Sequence, residues 1–144
     1  MPNAECLFCG FDKKYIVAEN DYAFATYFPR AIKPGHLVVA TKAHKPTFTD
    51  ISDAEARGVM SLGLSVATVA QKMIGAQKYY VVAIGDMDHH FHIHLLPKMA
   101  NDAPMGKYIM LDGGWKGEVG KTVSREQVID FIEQVRRRLQ NEHE

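Results

Sequence analysis

The stretch His90-Phe91-His92-Ile93-His94-Leu95-Leu96-Pro97 limits what this chain can fold into more than any other. Histidines alternate with apolar residues over five positions, the period of a β-strand with two unlike faces. Phe91, Ile93 and Leu95 are expected to enter a core. His90, His92 and His94 are expected on the opposite face, as a row of imidazoles roughly 6.6 Å apart. A solvated face that happens to be rich in histidine is the plain alternative. Three imidazoles on one side of a strand each need a partner when buried, which favours a site.

At 144 residues the chain is expected to form one domain over 1–144 with a sizeable core. Seventeen basic residues balance seventeen acidic ones, so nothing supports a general nucleic-acid surface or a polybasic membrane patch. Small anionic substrates need only local charge and stay open. The N-terminal stretch has no basic start followed by an apolar run, and no apolar run is long enough to span a bilayer. A cytoplasmic location is therefore expected. Both cysteines lie in Cys6-x-x-Cys9, and a structural disulfide is not expected in a reducing compartment.

Residues Tyr15–Glu19 and Tyr22–Phe28 read as a hairpin, with Asn20-Asp21 between them. Pro29, Pro34 and Gly35 break the pattern, and His36–Thr41 reads as a third strand. Ser52-x-x-Glu55 is a capping box that opens a helix. Ala56, Val59, Leu62, Val66, Val69 and Met73 form its buried stripe, and Gly75 fits its C-terminal cap. Gly58 and Gly63 inside it imply close packing against a neighbour, since each costs about 1 kcal/mol against alanine. Tyr79–Ile84 is a fourth strand. Lys98–Val123 carries little periodicity and reads as an arm or lid. Ser124-x-x-Gln127 opens a second helix over about 125–141, with Val128, Phe131, Ile132, Val135 and Leu139 on its apolar face. Arg136–Arg138 are expected near its C-terminus, where they suit the helix dipole; a nucleic-acid patch is the alternative. Strands, helix, strands, helix is the order of an α+β fold with an antiparallel sheet.

Taken together, these residues resemble the histidine triad (HIT) family. His90-φ-His92-φ-His94-φ-φ, with φ apolar, looks like the triad motif. Pro34-Gly35-His36, the apolar strand and Lys42-x-His44 are similar to the family's PGH segment, and Cys6-x-x-Cys9 resembles the start of its zinc-bearing members. The resemblance covers roughly residues 4 to 100. It implies a five-stranded antiparallel sheet with two helices, a homodimer with joined sheets, and hydrolysis or transfer at the α-phosphate of a nucleotide. The implied substrates include nucleoside phosphoramidates and dinucleoside polyphosphates.

The same resemblance makes His92 the nucleophile. A neutral imidazole attacks phosphorus well and titrates near physiological pH. His94, one step along the same face, can bind phosphate oxygens as charge spreads over them. His90 has two candidate jobs, substrate binding beside His94 or metal binding. In zinc-bearing relatives the matching ligands are Cys6, Cys9, His44 and His90, a closed structural Zn2+ site. A redox Cys pair and two inert cysteines are the other readings of Cys6 and Cys9.

His36 reads as structural, held by a loop, and His89 as a turn residue. Asp86 and Asp88 depart from the polar loop of many relatives, because an ionised carboxylate beside phosphate is repulsive unless protonated or turned away. Two further readings follow. The pocket can hold a nucleotide or serve an interaction without turnover, or His90 and His92 can bind a catalytic metal as an His-x-His pair.

Overall fold

The computed structural model describes residues 6–104 and 117–142. Five strands form one sheet: β1 (Ile16–Glu19), β2 (Ala23–Tyr27), β3 (Leu37–Thr41), β4 (Lys78–Val82) and β5 (His92–Lys98). Their spatial order is β1-β2-β3-β5-β4 and every neighbouring pair is antiparallel. The sheet and its two helices, α1 (Asp53–Ile74) and α2 (Arg125–Glu142), give the α+β architecture that the element order predicts. The single-domain reading included an arm or lid at Lys98–Val123; of that stretch, 105–116 lie outside the described residues.

Alternation along the strands separates two cores. On one face Val17, Ala25, Tyr27, Leu37, Val39, Phe91, Ile93 and Leu95 pack with the helices. On the other, Phe24, Phe28, Val38 and Ala40 pack with Phe8 from the N-terminal segment. Covering on both faces explains why β2 and β3 are buried at every position instead of alternating in and out.

Helix α1 begins as expected. The Ser52 hydroxyl accepts from the Glu55 N–H at 3.1 Å, and the Glu55 carboxylate accepts from the Ser52 N–H at 2.9 Å. Gly75 ends the helix in the left-handed conformation, φ 68°. A Cβ on Gly58 would lie 2.9 Å from Cβ of Tyr22, so the bare backbone there lets α1 approach the β1–β2 turn. Helix α2 matches its expected range to within a residue, but its last turn holds no basic residue, so Arg136–Arg138 are too far back to complement the dipole. Arg136 instead donates from Nε to the carbonyl of Ile16 at 3.0 Å and from Nη2 to that of Lys13 at 3.2 Å. That ties α2 to the edge strand.

Among the described residues no helix is long and apolar enough to cross a membrane.

Candidate functional site

The face that carries the histidine rings is built by β3 and β5 together. Their register sets Val38 opposite His94 and Ala40 opposite His92, and these modest side chains leave room for the two rings. The turn before β3 is fixed from both sides. Tyr27 Oη accepts from the Gly35 N–H at 2.8 Å, and Tyr79 Oη–H donates to the Gly35 carbonyl at 2.9 Å. Gly35 has φ 88°, and a Cβ there would meet Ile74 Cδ1 at 3.0 Å. His36 thus emerges on the same face as Val38 and Ala40, beside His94.

The rings form a chain whose tautomers follow from its ends. The Ile32 N–H donates to His36 Nδ1 at 3.3 Å, so the neutral His36 ring carries its proton on Nε2. That nitrogen donates to His94 Nδ1 at 2.9 Å. The His94 proton therefore lies on Nε2, 3.2 Å from His92 Nε2, to which it donates. His92 in turn donates from Nδ1 to the His90 carbonyl at 2.7 Å. Each contact then joins one donor to one acceptor, with the lone pair of His92 on Nε2.

Burial keeps these rings neutral. It lowers His36 from its ordinary 6.5 to about 3, with a further push from His92. His94 is lowered strongly, first by burial and then by His36, His92 and Arg30. His92 is lowered by burial, while its bond to the His90 carbonyl and the Asp88 carboxylate act the other way and Arg30 lowers it further. Phe8 lies against His92 with ring centroids 4.6 Å apart, and Phe28 meets His94 edge-on at 4.9 Å. Consequently His92 is only 4% exposed and His94 6%.

His90 faces elsewhere. Its Nε2 donates to the Thr41 carbonyl at 2.6 Å, which turns the lone pair of Nδ1 toward the N-terminal knuckle. That nitrogen lies 3.3 Å from Cys6 Sγ, 3.6 Å from Cys9 Sγ and 3.2 Å from His44 Nδ1; Cys9 Sγ lies 3.2 Å from His44 Nδ1. His44 is brought in by the chain leaving β3, which is pinned where the Phe91 N–H donates to the Lys45 carbonyl at 2.6 Å. All four ligand-type atoms lie within 4.8 Å of one another. A tetrahedral ion with Zn–S near 2.3 Å and Zn–N near 2.0 Å requires S···N edges of about 3.5 Å and N···N edges of about 3.3 Å. The observed edges fit it.

Residues 12–101 match the model of the HIT domain. The chain belongs to the HIT family. A 16.1 kDa HIT-like protein from Mycoplasma pneumoniae is 31% identical over 107 residues, covering 68% of this chain and 74% of the relative. A HIT-like protein from Saccharolobus solfataricus is 28% identical over 113 residues, covering 71% and 80%. The fold resembles that of a zinc-bound histidine triad protein from Mycobacterium smegmatis, with TM-score 0.72 and 17% identity over 96% of each chain. It also resembles diadenosine triphosphate hydrolase from Plasmodium falciparum, with TM-score 0.72 and 16% identity, covering 93% of this chain and 82% of the hydrolase.

Within this HIT domain, the expected even row of imidazoles takes another form. The His92 and His94 rings are 4.9 Å apart, closer than the strand repeat, because their side chains lean together to hydrogen-bond. Strand β5 begins at His92, so His90 lies just outside it. His92 is not among the clustered ligand-type residues, and His89 is exposed in the preceding turn. His36 has its expected loop bond, but its second nitrogen meets His94, a contact the sequence reading missed. The parity of His36 with Val38 and Ala40 carried that signal. Phe8 and Arg30 were also missed. Phe8 arrives by long-range packing that no local pattern encodes.

Proposed function

We propose that this HIT protein is a nucleotide hydrolase or nucleotidyl transferase. It acts at the α-phosphate of a nucleoside phosphoramidate or dinucleoside polyphosphate, through a covalent His92–nucleotidyl intermediate. The observation that carries this reading is the fixed tautomer of His92: with Nδ1–H tied to the His90 carbonyl, the lone pair on Nε2 is available for attack.

In the first step Nε2 forms a bond to phosphorus as the bond from phosphorus to the leaving oxygen or nitrogen breaks. The His94 Nε2–H shifts its hydrogen bond from His92 to the phosphate, where it stabilises developing charge or protonates the leaving atom. Water, or an acceptor hydroxyl in transfer, then attacks phosphorus as the Nε2–phosphorus bond breaks; its proton goes to His94 Nε2 where that nitrogen gave one up, and otherwise to solvent, and the neutral His92 is restored. His36 positions His94 by accepting from the Ile32 N–H and donating to Nδ1.

Cys6, Cys9, His44 and His90 would hold Zn2+ as a closed structural site, with the cysteines as thiolates. When bound, the ion supplies a cross-link between the knuckle and the strand, not an activated water. Both ring nitrogens of His90 are engaged, one on Thr41 and one toward the sulfurs, which favours the metal role over substrate binding. A homodimer with joined sheets belongs to the same reading. Strand β4 lies at a sheet edge, with Val81 and Ile84 exposed near it.

A second reading, nucleotide binding without turnover, is favoured by the near-complete cover of His92 by Phe8. Measuring AMP release from an adenosine phosphoramidate and from diadenosine polyphosphates, with wild type and His92→Ala, separates the two. Turnover by the wild type should fall by about 10⁴-fold or more in the variant. Binding of adenosine nucleotides with no release from any substrate would select the binding module.

A further inference from the structure

Asp86 and Asp88 stand just ahead of the triad, where a bare carboxylate would repel phosphate. Asp86 is exposed. Asp88 is held in an ion pair with Arg30. Arg30 also lies over the Phe28 ring, its guanidinium carbon 5.4 Å from the centroid. The same Phe28 ring touches His94 at 4.9 Å and His36 at 4.8 Å. The guanidinium is thus one aromatic ring away from the histidine chain.

We propose that Arg30 is a specificity-determining residue. Released from Asp88, it takes oxygens of the phosphate chain beyond the phosphorus that His92 attacks. It thereby favours substrates whose leaving group is itself anionic over those that lose an uncharged amine. The proposal rests on the phosphate-transfer reading of the site.

Three observations carry it. First, His36 and His94 are buried against Phe28 and spend their ring nitrogens on hydrogen bonds to Ile32, to each other and to His92, so these rings bring hydrogen bonds and no exposed cation. A polyphosphate needs a cation, and arginine remains charged and can grip two oxygens at once.

Second, Lys33 on the same loop is committed elsewhere. It pairs with Asp102, whose carboxylate also accepts from the Met99 N–H at 2.8 Å. Arg30 is the more accessible of the two cations: its side chain is 39% exposed against 18% for Lys33.

Third, Asp88 sets a threshold. A phosphate with one negative charge only matches the carboxylate it must displace. A chain with two or more charges exceeds it. The Arg30–Asp88 pair thus discriminates by charge instead of simply attracting every nucleotide.

The test compares kcat/KM for diadenosine triphosphate with kcat/KM for an adenosine 5′-phosphoramidate, as a ratio within each protein. From wild type to Arg30→Gln the ratio should fall roughly 10- to 100-fold, the range of a charged hydrogen bond. Arg30→Lys should recover part of it, and Asp88→Asn should lower it, because the freed guanidinium then also attracts a singly charged phosphate. A ratio unmoved by Arg30→Gln, or raised by Asp88→Asn, overturns the proposal.

A binding arm needs no turnover. On a His92→Ala background, affinity for diadenosine triphosphate relative to adenosine should drop by a similar factor when Arg30→Gln is added. If the wild type hydrolyses neither substrate, the enzyme reading fails while this binding ratio still decides whether Arg30 reads charge. An unmoved binding ratio removes Arg30 from that role even in an active enzyme.

Discussion

His90 and His92 are two residues apart, both buried, and each tied to one backbone carbonyl. They differ in which nitrogen makes that tie. His90 donates from Nε2 to Thr41, which aims Nδ1 at two sulfurs and His44. His92 donates from Nδ1 to His90, which aims Nε2 at His94. Ring identity and burial are the same in the two cases. The backbone acceptor selects the tautomer, and the tautomer selects the neighbourhood in which the lone pair acts.

The sharpest way to break this contrast is to remove a ligand from one region only. Cys9→Ala should abolish zinc binding, which in the wild type is expected at about one ion per chain. It should also lower Tm by roughly 10 °C, taking a few kcal/mol as the metal's contribution to a domain with its own core. His92→Ala should keep the metal and nearly all of the Tm. Metal analysis and thermal melts on both variants decide it; loss of metal from His92→Ala would erase the division between the two regions.

The next largest effect concerns the far end of the histidine chain. His36→Ala removes the donor that keeps the His94 proton on Nε2, so kcat should fall about 10–100-fold with metal content unchanged. Steady-state kinetics beside zinc analysis provide the check. A kcat equal to wild type would reduce His36 to a packing residue.

The smallest effect is on stability and pH. His36 is lowered to about 3 from an ordinary 6.5, and His92 and His94 are lowered too. Below about pH 6.5 the unfolded chain takes up protons that the folded chain refuses. Stability is therefore full above that pH and is lost as pH falls toward the folded values. The slope is on the order of 1 kcal/mol per pH unit for each such histidine. Urea midpoints at pH 7.5 and 5.5 should separate accordingly, and coincident midpoints would contradict neutral burial of the rings.

Much of this was legible in the sequence because it is local. The alternation around His92 gave the strand and its faces, and Ser52, Glu55 and Gly75 bounded α1 within its observed limits. Family resemblance brought Cys6, Cys9, His44 and His90 together, and the structure gathers their ligand-type atoms. What escaped depends on distant chain segments meeting. The lean of His94 onto His92, the return of Arg136 to β1, the cover by Phe8 and the pairing of Asp88 with Arg30 have no signature within a window of a few residues. The placement of Arg136–Arg138 failed for a different reason. The helix end near 141 is met within a residue, but the dipole acts only over the last turn, which Arg136–Arg138 precede.

The Cys6–Cys9–His44–His90 cluster also has an order in time. Cys6 and His90 are 84 positions apart, and His44 lies between them. A chain synthesised from its N-terminus exposes both thiols long before the last imidazole exists. The four-atom set is complete only once most of the sheet has been made. Closing the knuckle is therefore a late event, and until then the thiols are open to oxidation or to capture of a metal ion. Expression under metal limitation or oxidising stress would thus act on the newborn chain before it acts on the finished protein.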